Sequence, residues 1–222
     1  MTNTIEPYYH KQLLYLQSKV SDDILRQVKK ETEYILENEN SAERTSSQPH
    51  RVIPFVMSMS EMGKEILKPN LIALANEYYK RTKRNQDYPH WDFRRTWINF
   101  QKKHEQFSLH DHNGDLSFVM WVQIPYDLQE ELKPPPHNSK ILFPPSSSLF
   151  NFVYTDTYGT VITKQINVDK SYEGTIIMFQ SNLKHLVYPF HTSDDYRISI
   201  SGNLNVGAPQ TPPKINAFSY NG

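Results

Sequence analysis

The densest chemistry in the chain lies in His104-Glu105-Gln106-Phe107-Ser108-Leu109-His110-Asp111-His112-Asn113-Gly114-Asp115, just ahead of its most apolar stretch, Ser117 to Ile124. His110 and His112 are two positions apart, so on an extended backbone their rings project from the same face. Two imidazoles so placed can chelate one divalent cation, with a third ligand arriving from another strand. His185 is the best candidate for that ligand, because it opens the short strand-like segment His185 to Tyr188. Three protein ligands leave the remaining coordination positions open for substrate and dioxygen. A lone histidine is more often solvated or hydrogen-bonded, and an HxH pair arises by chance. The pair gains meaning from Arg197-Ile198-Ser199, twelve residues after His185. Arg197 and Ser199 again share a face, and an arginine fork with a supporting hydroxyl suits a carboxylate held bidentately. The competing role for Arg197 is a salt bridge to Asp194 or Asp195.

The elements that must position these groups change character along the chain. Residues 1 to about 85 read as helical and polar. Ser21, followed by Asp22 and Asp23, offers a capping hydroxyl and acids for a first helical turn. Ile24, Leu25, Val28, Ile35 and Leu36 then recur near helical spacing as far as Glu39. A second helix is expected to start near Pro69, with Leu71, Ile72, Leu74, Ala75, Tyr78 and Tyr79 on one side and the basic run Lys80 to Arg84 at its end. After His90 the hydrophobic period shortens. Thr96–Phe100, Ser117–Ile124, Leu149–Tyr154, Thr160–Val168, Thr175–Phe179, His185–Tyr188 and Arg197–Leu204 read as strands separated by turn signals such as Tyr158-Gly159 and Glu173-Gly174. Short strands without intervening helices predict an antiparallel sandwich or barrel. Asn38 to His50 and the Pro/Ser-rich insert Lys133 to Ser148 read as loops, the second long enough to be a lid or a passive excursion. The segment from Val206 to Gly222 is a surface tail.

Composition narrows the function classes. Lys plus Arg and Asp plus Glu are 24 each, so no net field favours nucleic acid or an anionic membrane as partner. Cysteine is absent, which excludes thiolate metal sites, disulfides and Cys nucleophiles and leaves His and carboxylate as ligand types. Aromatics at 13% supply large buried surfaces suited to sheets. The N-terminus MTNTIEPYYHKQ has no apolar core of signal-peptide length, and no apolar run approaches a membrane span; the expectation is a cytoplasmic protein.

With the spacing of these groups in view, the sequence resembles the 2-oxoglutarate- and iron-dependent oxygenase superfamily, whose pattern is HxD or HxE, a distal His, then Arg ten to fourteen residues on. Within it the chain is similar to prolyl 4-hydroxylase-like members, and above all to small oxygenase-like proteins of bacteria and marine bacteriophages. Those carry a Trp-x-Asn strand, an HxH segment, a strand like LSFVMWVQIP and an ending like HLVYPFHTSDDYRISISGN, matched here by Trp97 and Asn99, the HDH segment, and His185 through Asn203. The resemblance implies a double-stranded β-helix (a jelly roll, cupin-like) with N-terminal helices. It implies one domain over 1–222, with a helical flank at 1–90, the core at 91–205 and a tail at 206–222. It implies Fe(II) held by His110, His112 and His185, and 2-oxoglutarate anchored by Arg197 and Ser199 with Asn99 and Trp97 lining its pocket. The reaction would couple oxidative decarboxylation of 2-oxoglutarate to hydroxylation of a protein side chain (prolyl preferred), a small metabolite or, least favoured, a nucleic-acid base. A phage-encoded chain would act in the host cytoplasm.

The chain departs from the pattern at three places. Gln101 stands where a tyrosine often contacts the cosubstrate, His104 replaces a glycine, and His112 replaces the carboxylate. Either the triad is all-histidine, or Asp111 or Asp115 supplies an oxygen; alternation puts Asp111 on the wrong face, while Asn113-Gly114 could swing Asp115 back. Two rival functions stay open: a cupin-type metal enzyme without 2-oxoglutarate, and a non-catalytic, ligand-binding or virion-associated jelly roll.

Overall fold

The apolar run over Leu116–Gln123 is hydrophobic at nearly every position because the strand it forms is buried on both faces. Phe118, Met120 and Val122 enter a cluster beneath the helices, while Val119 and Trp121 enter a second cluster between two sheets. Around this strand the computed structural model, which describes residues 4–10, 13–38, 54–82, 90–133 and 147–207, builds two antiparallel sheets. In chain order the strands are β1 (Ile5–His10), β2 (Leu13–Lys19), β3 (Phe55–Ser58), β4 (Trp91–Gln101), β5 (Phe107–His110), β6 (Leu116–Gln123), β7 (Phe150–Thr155), β8 (Val161–Ile166), β9 (Thr175–Gln180), β10 (Lys184–Val187) and β11 (Arg197–Val206). The major sheet runs β1-β2-β9-β6-β11-β4-β3 and the minor sheet β5-β10-β7-β8. This is the jelly-roll architecture that the resemblance implied.

The helices α1 (Asp22–Glu37) and α2 (Glu61–Thr82) cover the outer face of the major sheet, with Val28, Leu67, Leu71 and Leu74 packed against Phe100, Met178 and Ile200. A short third helix, α3 (Leu128–Glu131), follows β6. Ser21 caps α1 as expected, its hydroxyl accepting from Ile24 N–H. The second helix differs from expectation. It begins eight residues before Pro69, at Glu61, where Ser60 Oγ accepts from Gly63 N–H at 3.1 Å, and Pro69 lies inside it. An interior proline costs about 3 kcal/mol. Burial of Leu67, Leu71, Leu74, Ala75 and Tyr78 on the sheet offsets that cost.

Residues 1–90 are not simply a helical flank. β1 and β2 form a hairpin that joins the major sheet through β9, and β3 pairs with β4. The sign of β2 was in the sequence: in Leu13-Leu14-Tyr15-Leu16 the odd positions face the inter-sheet cluster and the even ones the helix side. A short apolar run of this kind does not distinguish strand from helix by periodicity alone. Residues 39–50, 134–146 and 208–222, which contain most of the expected loops and the tail, lie outside the described residues. Among the described residues no helix is long and apolar enough to cross a membrane.

Candidate metal centre

His110 is the last residue of β5 and faces His185 on β10 as its register partner. His112, two residues beyond, is held by its own N–H bond to the Ser181 carbonyl at 2.9 Å. The strand alternation therefore brings three rings to one place, with one potential ligand atom from each all within 4.8 Å of one another. His185 is 4% exposed and His110 and His112 half-buried, so the cluster opens on one side. His185 is enclosed by Phe150 (stacked, 5.6 Å between centroids) and Phe179 (edge-on, 5.0 Å).

Main-chain carbonyls orient two of the rings. His185 Nδ1 lies 2.9 Å from the Leu183 carbonyl and His110 Nδ1 2.6 Å from that of Ser108. A carbonyl accepts only from an N–H, so these contacts place a proton on Nδ1 of each ring, and Nε2 is the atom that carries the lone pair in the neutral form. Burial pushes His185 down to about 3 and His112 down to about 4, with the neighbouring histidines adding to the effect. Both are therefore unprotonated at neutral pH, the form a metal requires. Trp97 packs edge-on against His112 at 5.4 Å.

The two acids weighed as oxygen ligands lie elsewhere. Asp111 points outward to Lys184 (2.8 Å), whose hydrogen bond and charge hold its carboxyl below the usual range. Asp115 is a correction to the alternative ligand set: its Oδ2 accepts from Val206 N–H at 2.8 Å, because the Asn113-Gly114 turn aims it along the end of β11. Among the described residues the one metal-competent cluster is all-histidine.

Across the cavity, β11 and β4 present a polar row. Arg197 is paired in register with Gln101, Ser199 with Asn99, and Ser201 with Trp97. These residues and the three histidines line one cavity of about 210 Å³. Arg197 is 3% exposed, and no carboxylate among the described residues lies within ion-pair distance of it. Asp194 instead pairs with Lys103 at 2.6 Å. Arg197 donates from Nε and Nη2 to Gln101 Oε1 (3.0 and 2.6 Å), from Nη1 to Tyr126 Oη (3.0 Å) and the Ser148 carbonyl (2.8 Å), and from Nη2 to the Tyr188 carbonyl (2.9 Å). Asn99 Nδ2 donates to Ser199 Oγ and Ser201 Oγ, both at 3.1 Å, leaving its buried Oδ1 without a partner. The Ser199 hydroxyl is thus turned to Asn99. His104, where the resembling pattern has glycine, takes the left-handed φ of 69° that glycine favours. Its Nδ1 lies 2.8 Å from that of His191.

Sequence reasoning missed Tyr126, the Ser148 and Tyr188 carbonyls and the anchoring role of Gln101. Main-chain acceptors leave no residue-type signal, and Gln101 showed only as a departure from a pattern.

Fold and site together define a jelly-roll protein with a cavity lined by three histidines that could hold a metal ion. A family model described as "Putative 2OG-Fe(II) oxygenase" matches residues 95–203, just under half of the chain, and over this region the sequence is similar to that family. Among solved structures it is similar to the α-ketoglutarate-dependent epimerase SnoN from nogalamycin biosynthesis, at 10% identity and TM-score 0.56 over 86% of this chain and 78% of that one. It is also similar to a prolyl hydroxylase from Trichoplax adhaerens in complex with a hypoxia inducible factor peptide, at 11% identity and TM-score 0.52 over 86% and 81%. A third, an oxidoreductase of the 2OG-Fe(II) oxygenase family from Burkholderia pseudomallei, is matched at 13% identity and TM-score 0.44, and the chain covers 71% of itself and 64% of that protein's length. At such identities the likeness is one of fold. No curated protein matches the chain. None of these findings bears on the bacteriophage part of the resemblance.

Proposed function

We propose that this chain couples oxidative decarboxylation of 2-oxoglutarate to hydroxylation of a protein side chain, prolyl preferred, in the cytoplasm, using Fe(II) held by His110, His112 and His185. The observation that carries the reading is the buried Arg197, a charge without a counter-ion among the described residues, in the same cavity as three clustered imidazoles. An uncompensated buried charge is costly, and an anion in the cavity would relieve it. Fe(II) with 2-oxoglutarate would supply the oxidising chemistry when bound. The chain's own groups do the rest. The Nδ1 bonds hold two rings with Nε2 free, Phe150 and Phe179 keep His185 dry, and Arg197 attracts the distal carboxylate. Ser199 and Asn99 line the cavity floor. The preference for a protein substrate rests on the prolyl hydroxylase likeness, which is one of fold. The single-domain reading is supported by β1–β3, which share a sheet with the core strands.

One observation favours a second reading, a metal-binding jelly roll that does not use 2-oxoglutarate: all five N–H groups of Arg197 already have protein acceptors. Fe(II)-loaded protein incubated with 2-oxoglutarate and dioxygen separates the two. Succinate release with bound iron is the expected result. Bound iron without succinate would favour the second reading, and neither iron nor succinate a non-catalytic module.

A further inference from the structure

Resting on the proposed 2-oxoglutarate site, we infer that Gln101 is a place-holder on the carboxylate-binding edge of Arg197 and sets how tightly the cavity takes a dicarboxylate. A guanidinium offers carboxylates two edges, one formed by Nε and Nη2 and one by its two terminal nitrogens. Gln101 Oε1 bridges the first, accepting from Nε at 3.0 Å and from Nη2 at 2.6 Å, the contact a carboxylate oxygen would make. The second edge faces the main-chain carbonyls of Ser148 and Tyr188, which cannot withdraw without moving backbone. The Gln101 amide can leave by a change of rotamer.

The orientation of that amide is fixed by its partners. Arg197 has donors only, so Oε1 must face it, and Nε2 then donates to the Glu105 carbonyl at 2.5 Å. Gln101 is 3% exposed and lines the same cavity as the histidines. It thus satisfies the guanidinium when no anion is present and keeps the fork aimed between β4 and β11. An entering carboxylate replaces two bonds from the cation to a neutral amide oxygen by two from the cation to an anion, which adds a full ion pair in a buried setting. It wins the edge, but with its affinity reduced by the bonds it displaces.

Opposite shifts from different substitutions test this. Mn(II)-loaded wild type, Gln101→Ala, Gln101→Asn and Gln101→Glu are titrated calorimetrically with 2-oxoglutarate, alongside Mn(II) affinity. Ala vacates the edge and Asn is too short to bridge it, so both should bind 2-oxoglutarate tighter, on the order of threefold to tenfold. Glu supplies a permanent internal anion and should weaken binding about 100-fold or more, with Mn(II) affinity unchanged in all. If Gln101→Glu does not fold, the Ala and Asn variants decide. Wild-type affinity in those two, or a loss in every variant as a purely structural role would give, overturns the inference. Arg197→Leu distinguishes the levels. If it binds 2-oxoglutarate as wild type does, the underlying site reading fails; if it loses binding while the Gln101 variants match wild type, only the place-holder fails. Absence of binding in wild type and in Gln101→Ala alike would defeat both.

Discussion

Each triad histidine is held differently, so single replacements should not be equivalent. His185 is caged by Phe150 and Phe179 and fixed through the Leu183 carbonyl, whereas His112 is fixed chiefly by its own backbone. His185→Ala should lower iron occupancy tenfold or more, since loss of one of three ligands cannot be made good from an aromatic wall. Asp115→Ala should leave iron occupancy unchanged, because its carboxylate serves Val206. Iron analysis of the two purified variants checks both, and loss of iron in Asp115→Ala would return a carboxylate to the ligand set. The HxH spacing made the convergence of His110 and His112 legible, since alternation on an extended chain needs no tertiary knowledge. The saturation of Arg197 was not legible. Two of its partners are main-chain carbonyls and a third, Tyr126, lies on a segment with no periodicity to place it.

Among the elements, β11 carries most of the site, and its two faces do different work. Arg197, Ser199 and Ser201 line the cavity, while Ile198, Ile200 and Leu204 pack beneath the helices. Gly202 shows how tight the helix-side packing is: an added Cβ would meet Phe118 Cε1 at 2.6 Å and the Arg95 carbonyl at 2.7 Å. Because one of those neighbours is backbone, Gly202→Ala should destabilise the protein by about 1–3 kcal/mol, read as a lower urea midpoint at unchanged slope. A wild-type midpoint would show that β11 can shift away from β4 and β6. The seven core strands after His90 were legible because each is short, β-branched or aromatic, and bounded by turn residues. β1, β2, β3 and β5 were not, since the first three sit in charged surroundings that read as helical. The fourth is only four residues long and carries two polar ones.

At the scale of the molecule, folding commits two rings to a neutral state. In the unfolded chain His112 and His185 titrate near the ordinary value of about 6.5; in the fold they stay neutral down to about 4 and about 3. Between those limits the unfolded state binds more protons, so stability falls as pH falls. The metal-free protein should therefore lose stability progressively from about pH 6.5 downward through this window. Replacing His185 by Phe should reduce the slope. Urea titrations at a series of pH values test this, and a midpoint flat from pH 7 to 4 would mean that the rings are not held neutral. In the proposed function, the same neutrality would suit the pocket to a cation, while Arg197 from the opposite sheet would suit it to an anion.

That pairing of a cation site with an anion site is the centre of the account. It is tested most directly by titrating Mn(II)-loaded wild type and Arg197→Leu with 2-oxoglutarate while measuring metal content in both. The expected result is saturable binding in wild type and a loss of about 100-fold or more in Arg197→Leu, the scale of a buried charge partner removed, with manganese stoichiometry equal in the two. Equal 2-oxoglutarate affinity in the two proteins would contradict it.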